Sequence, residues 1–96
     1  MSADRRDVER GLERKGFVRV EGDHHFFIYR TLQGKKSTIR TKTSHGMRQI
    51  DDSILSQMAR QCRLSRTQFD KLIECPLAQE EYETLVEQKE PGALGI

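Results

Sequence analysis

Three histidines, His24, His25 and His45, carry the side chains of this 96-residue chain that are best suited to proton transfer. Histidine has an unperturbed pKa of about 6.5, so it can donate or accept a proton near neutral pH. Adjacent residues of a strand point to opposite faces, so His24 and His25 cannot easily bind one metal ion. Nothing in the spacing of Asp23, His24 and His45 requires them to converge. We therefore expect no metal site and no cofactor.

Cysteine chemistry has little support. Cys62 and Cys75 lie thirteen residues apart and form no CxxC pair, which argues against a zinc site and a disulfide framework. Cys62 falls on the apolar side of a predicted helix, a poor setting for a nucleophile. Acid–base chemistry by histidine is the remaining catalytic option.

Cleavage of RNA needs little more than a histidine and positive charge, because the 2′-hydroxyl of RNA is a built-in nucleophile. Residues 1–50 carry 12 Lys or Arg against 6 Asp or Glu, a net charge of +6, whereas residues 51–96 carry 5 against 9, or −4. No acid occurs from His24 to Ile50. This run suits a polyanion, although a solvated basic edge strand explains it equally well. Its candidate RNA-binding cations are Arg30, Lys35, Lys36, Arg40, Lys42 and Arg48.

Composition argues against membrane and exported classes. The chain contains no apolar run of ~18 residues, and residues 1–10 lack the apolar core of a signal peptide. We expect a cytoplasmic protein with no membrane contact and one domain over residues 1–96.

Local signals predict one helix followed by three strands. Asp4 can cap a helix over residues 4–15 that Gly16 ends. Strands are expected at residues 17–20, 24–31 and 37–43, joined by turns at Gly22-Asp23 and 32–35. Their order predicts a three-stranded antiparallel meander.

Further helices follow the meander. Asp51 or Asp52 can cap a helix with one apolar face, and Ser65 to Gln68 is a capping box for the next. Pro76 stops that helix, an acidic helix is expected from Ala78 to about Gln88, and residues 91–96 should be a flexible tail. The fold class is α+β, an α-β-β-β-α core whose meander packs on two helices, plus two short C-terminal helices.

The sequence leaves open which face of the sheet is buried. The second strand alternates between His24, Phe26, Ile28 and Arg30 on one side and His25, Phe27 and Tyr29 on the other. Both sets are apolar enough for a core. We favour Phe26 and Ile28 inside, with Phe27 and Tyr29 beside the basic side chains, where aromatics would suit stacking against bases. The alternative is that helices cover Phe27 and Tyr29.

The order of these motifs over residues 5–64 resembles the HicA family, small toxins of toxin–antitoxin pairs. The family's hallmark is a glycine-serine-histidine motif opening the second strand, often followed by a second histidine. A His-Gly pair before the last core helix is also common in the family. The matching segments here are Lys15-Gly16-Phe17, Gly22-Asp23-His24-His25-Phe26 and Ser44-His45-Gly46.

The resemblance implies a double-stranded-RNA-binding-domain-like fold and a metal-independent ribonuclease that cuts mRNA. It also implies a HicB-type antitoxin protein as partner. His24 occupies the position of the family's catalytic histidine. Gly22, Asp23, His25 and His45 are the supporting candidates. Asp23 replaces the family's serine, and its carboxylate could orient His24 or repel phosphate.

Two other functions remain open. A domain of the same fold without a working active site would bind RNA through its backbone alone. Residues 58–69 also resemble a helix-turn-helix, although Arg63 stands where a small turn residue is usual. The residues beyond the core, 65–90, could extend it or fold over the basic sheet as a mask, and extension is favoured.

Overall fold

The computed structural model describes residues 3–74 and 76–94. Its elements, in chain order, are β1 (Ala3–Asp4), α1 (Arg5–Arg14), β2 (Phe17–Glu21), β3 (His25–Arg30), β4 (Lys36–Thr43), β5 (Gln49–Ile50), α2 (Asp52–Gln61), α3 (Arg66–Glu74) and α4 (Gln79–Lys89).

Strands β2, β3 and β4 form the expected antiparallel meander, in that order across the sheet. A second, two-stranded ladder pairs β1 with β5 through Ala3 opposite Ile50 and Asp4 opposite Gln49. The sequence does not predict this ladder, which fixes the start of α1 beside the segment that precedes α2. The α+β fold with a meander and four helices is confirmed.

Helix boundaries follow local capping chemistry. The Asp4 carboxylate accepts a hydrogen bond of 2.8 Å from the Arg6 amide at the start of α1. For α2 the cap is Asp51, whose carboxylate accepts from the Ile54 amide at 3.0 Å. Ser65 and Gln68 bond reciprocally before α3, as a capping box does.

The expected orientation of β3 is wrong. Phe27 and Tyr29 are fully buried, whereas Phe26 and Ile28 are half-buried on the opposite face. The cross-strand register decides the matter, because Tyr29 lies opposite Phe17 and must share its face. Phe17 is itself in the core, so Phe27 and Tyr29 face the helices.

The C-terminal helices extend the core. Tyr82 of α4 is buried, with its ring 5.0 Å from that of Tyr29 and 5.9 Å from that of Phe17. The Glu83 carboxylate accepts from the Tyr29 hydroxyl at 2.5 Å and from the Leu32 amide at 2.8 Å. Helix α4 therefore packs on the helical side of the sheet and does not mask the opposite face.

The end of the chain also differs from the expected flexible tail. Residues 91–94 form a turn, and Leu94 is fully buried in the core. Its apolar side chain contributes to the same cluster as Tyr82 and Val86. Residues 95 and 96 of that predicted tail, like Cys75, lie outside the described residues.

Gly11 allows α1 and α3 to approach closely. A Cβ at this position would lie 2.6 Å from the Ile73 carbonyl oxygen, so no larger residue fits without movement of the backbone. This contact holds α1, and with it Arg5 and Glu9, in place beside the sheet.

Among the described helices, none is both long and apolar enough to cross a membrane.

Candidate functional site

The two adjacent histidines are separated by strand geometry, as expected. The His24 ring lies 6.0 Å from that of Phe26, on the face away from the helices, and has no hydrogen-bond partner among the described residues. His25 points toward the helical side, where three other side chains meet it. Polar side chains therefore cluster around His25, which we take as the centre of the candidate site.

Both ring nitrogens of His25 are engaged. Nδ1 lies 2.7 Å from Glu21 Oε2, and Nε2 lies 3.2 Å from Arg5 Nη1. An arginine only donates, so Nε2 accepts and the ring hydrogen sits on Nδ1, where it is donated to Glu21. Glu21 lies opposite His25 in the β2–β3 register, which makes this contact part of the hairpin.

His45 joins the cluster from a distant loop. Its ring centroid lies 4.0 Å from that of His25, and its Nε2 donates to the Gly22 carbonyl at 3.0 Å. Gly46 adopts φ +78°, which lets the loop turn back toward the β2–β3 hairpin. His45 is exposed, so it offers a titratable ring to solvent next to the more enclosed His25.

A buried carboxylate organises the arginines around this cluster. Glu9 is only 3% exposed and accepts a hydrogen bond of 2.7 Å from the Thr43 hydroxyl. Its oxygens lie 3.3 Å from Arg19 Nη2 and 3.8 Å from Arg5 Nε. Glu9 thus compensates the charge of two arginines and positions Arg5 against His25.

The contacts of Glu21 favour its ionised form. Desolvation opposes ionisation, but hydrogen bonds and charge from His25 and Arg19 outweigh it and lower the pKa of Glu21. The Glu21 carboxylate at Nδ1 fixes the ring orientation of His25.

An arginine-lined groove adjoins the histidines. It encloses about 580 Å³ between the start of α1 and the loop before β5. Asp4, the single acid among the described residues of its lining, is bonded to the Arg6 amide. Arg5 both lines this groove and contacts His25, so the groove and the His25 site share one guanidinium that can bind an anion. The lining residues are Asp4, Arg5, Arg6, Gly46, Met47, Arg48 and Gln49.

The cluster also contains possible metal ligands. Ligand atoms of Glu21, His25 and His45 lie within 4.8 Å of one another. However, an ion on His25 Nδ1 would leave a hydrogen on Nε2, which would then face the Arg5 donor. The nearby guanidinium charge also opposes a cation. The contacts therefore favour proton transfer, and the expectation of no metal stays a prediction.

The predicted RNA-binding cations are divided between surfaces. Arg48 lines the groove, and Arg40 and Lys42 are exposed on the face away from the helices. Arg30 ends β3, while Lys35 and Lys36 lie at the turn into β4. Of these six cations, only Arg48 belongs to the described lining of the groove.

Sequence reasoning missed Arg5, Glu9 and Glu21. Glu21 is opposite His25 because the hairpin turns over residues 22–24, one residue more than the expected turn at Gly22-Asp23. Arg5 and Glu9 reach the site only because α1 packs beside the sheet, and no local pattern indicates that.

The region that resembles a helix-turn-helix has the turn, but the side chains of Arg66 and Gln68, which would contact DNA, are paired within the protein. Arg63 adopts φ 66°, the left-handed conformation that such a turn requires. Arg66 is paired with Asp52 at 3.1 Å and Asp70 at 2.9 Å, and Gln68 caps its own helix. The side chains of Arg66 and Gln68 therefore stabilise the helices and are not available for DNA contacts.

No family model, curated protein or solved structure matches this chain. Fold and site together define an α+β protein with a histidine–carboxylate–arginine cluster.

Proposed function

We propose that the protein is an endoribonuclease toxin that cleaves mRNA without a metal ion, as its resemblance to the HicA family implies. The observation that carries the proposal is the pair of hydrogen bonds that join Glu21 to His25 and His25 to Arg5. The ring of His45 packs against the ring of His25, and Arg5 also lines the arginine-lined groove. It supplies a proton acceptor, a second titratable group and positive charge for a phosphate.

In the proposed reaction the RNA phosphate attracts the Arg5 guanidinium and frees His25 Nε2. The nitrogen accepts the proton of the 2′-hydroxyl, whose oxygen attacks the adjacent phosphorus. The bond from phosphorus to the 5′-oxygen of the next nucleotide breaks, and protonated His45 donates a proton to that oxygen. The products are a 2′,3′-cyclic phosphate and a 5′-hydroxyl. Glu21 stabilises the imidazolium formed on His25.

His24 is the catalytic candidate that the resemblance favours. It lies beside Phe26 without a carboxylate or arginine to orient it among the described contacts. On the geometry, His25 has the groups that acid–base catalysis needs, so we place the reaction there.

A HicB-type antitoxin is the partner that this proposal implies. An acidic surface on it would complement Arg5, Arg6 and Arg48 and close the groove to RNA.

Expression in a bacterial host tests the toxin function. Parent protein, His25→Ala and His24→Ala would each be produced alone and together with the product of the adjacent gene. We expect growth arrest and transcript loss with unpaired parent and with His24→Ala, and neither with His25→Ala. Equal effects of the parent and His25→Ala would contradict the assignment, provided that both accumulate to the same level.

A binding module without activity is the second candidate, and one contact favours it. Arg5 occupies Nε2, the nitrogen that the reaction needs. Parent protein that binds RNA but leaves it intact at every concentration would establish this alternative.

A further inference from the structure

The sheet has one uncovered face with an unusual composition. Its outward residues, here called the open face, are Val18 and Val20 of β2, Phe26, Ile28 and Arg30 of β3, and Lys36, Thr38, Arg40 and Lys42 of β4.

Apolar side chains cross the open face as a strip. Val18 is 42% exposed and Val20 46%, and they lie opposite Ile28 and Phe26 in the β2–β3 register. A solvated sheet face normally carries polar residues at such positions. A continuous exposed apolar strip is typical of a surface that binds something.

Cations border the strip on its other side. Lys42 lies opposite Phe26, and Arg40 opposite Ile28. Neither cation has an ion-pair partner among the described residues, and no outward residue of the three strands is an acid. A groove of about 360 Å³ adjoins Phe26 and both cations. The open face thus combines an accessible ring with unneutralised positive charge.

We propose that the open face binds single-stranded RNA, with a base stacked on Phe26 and phosphates held by Arg40 and Lys42. Aromatic rings between basic side chains bind single strands in this way, and their charge matches a polyanion. A duplex hides the faces of its bases, so Phe26 could not stack on them. This inference rests on the proposed function only in taking RNA as the substrate.

The position of the face explains how it would serve cleavage. His24 adjoins Phe26 at the end of β3, and the next residue, His25, turns to the opposite side. A strand held on the open face therefore runs to the end of the sheet at which the His25 cluster lies. The groove with Arg5 and Arg48 would hold the scissile phosphate, and the open face the flanking nucleotides.

Fluorescence anisotropy with a 2′-O-methyl oligonucleotide measures binding without cleavage. The probe would be used single-stranded and as a duplex, against parent protein, Phe26→Ala, Phe26→Tyr and the double variant Arg40→Ala/Lys42→Ala. Matched controls are Leu32→Ala, which removes an exposed apolar side chain elsewhere, and Lys71→Ala/Lys89→Ala, which removes two exposed cations of helices α3 and α4.

We expect Phe26→Ala to weaken single-strand binding about 5- to 150-fold, with Phe26→Tyr close to parent. Loss of Arg40 and Lys42 should weaken binding further and reduce its dependence on salt more than loss of Lys71 and Lys89 does. Leu32→Ala should bind as the parent does.

Three results would overturn the inference. The first is unchanged binding by Phe26→Ala, and the second is a duplex bound as tightly as the single strand. The third is protection of the open face from hydrogen exchange by the adjacent gene's product but not by RNA, which would assign the face to a protein. Parent protein that binds through Phe26 but cleaves no RNA would refute the proposed function and leave this inference standing.

Discussion

The rings of His25 and His45 lie with their centroids 4.0 Å apart, although the two residues are twenty positions apart in the chain. The contact exists because the loop before β5 folds back onto the β2–β3 hairpin, where His45 Nε2 bonds the Gly22 carbonyl. It places an exposed histidine beside one whose orientation is fixed by Glu21. Two titratable rings in different environments are what an acid–base pair requires.

Replacement of Glu21 by glutamine should slow cleavage by about 10- to 1000-fold, within the range that acid–base catalysis contributes. The amide keeps the size of the side chain but removes the charge that stabilises the His25 imidazolium. Single-turnover cleavage at neutral pH measures the rate. Glu13→Gln is the control, because Glu13 pairs with Arg19 and does not contact His25. Equal losses in the two variants would show that Glu21 acts only through surface charge.

The burial of β3 can be tested by a pair of neighbouring substitutions. Phe27→Ala should lower the free energy of unfolding by about 3–5 kcal/mol, because it empties a fully buried site. Phe26→Ala should cost clearly less, since Phe26 is half-buried on the open face. Urea denaturation followed by circular dichroism measures both. A larger loss for Phe26→Ala would reverse the face assignment.

Gly11→Ala should destabilise the protein by about 1–3 kcal/mol, although alanine is the better helix former. The added Cβ would meet the backbone of Ile73, which cannot move aside by a change of rotamer. Thermal unfolding of the variant tests this. A gain in stability would mean that α1 and α3 are farther apart than described.

Cys62 should be unreactive toward thiol reagents in the folded protein. Complete burial raises the pKa of this thiol from 9.0 to about 12. Because the raised pKa keeps the folded thiol protonated, its contribution to stability is present below pH 9 and is lost as pH rises toward 12. In a Cys75→Ser background, alkylation at pH 8 should be slow in buffer and fast in denaturant. Rapid alkylation in buffer would contradict the burial.

Local chemistry explains how far the fold could be predicted. The side chains of Asp4, Asp51 and Ser65 cap their own helices within three residues, so sequence spacing alone reveals them. The buried face of β3 could not be predicted from the sequence, because both alternating sets of its side chains are apolar. Contacts of Tyr29 with Phe17 and Tyr82, which are distant in the chain, decide it.

The candidate site was predictable only in part. Histidine type and strand alternation indicate that His24 and His25 diverge. The expected turn at Gly22-Asp23 would place Glu21 opposite His24, whereas the observed turn over residues 22–24 places it opposite His25. The approach of Arg5 and His45 depends on the β1–β5 ladder and the packing of α1, which arise from tertiary contacts. The resemblance to the HicA motif favours His24 as the candidate catalytic residue, whereas the contacts with Glu21, Arg5 and His45 favour His25.

Chemical analysis of RNA fragments tests the central claim most directly. Purified parent protein, His25→Ala and His24→Ala would be incubated with a single-stranded RNA at neutral pH in EDTA, and the fragments identified by mass. We predict 2′,3′-cyclic phosphate and 5′-hydroxyl ends from the parent and from His24→Ala, and intact RNA with His25→Ala. Cleavage by His25→Ala at the parent's rate, or fragments with 5′-phosphate ends, would contradict the proposed mechanism.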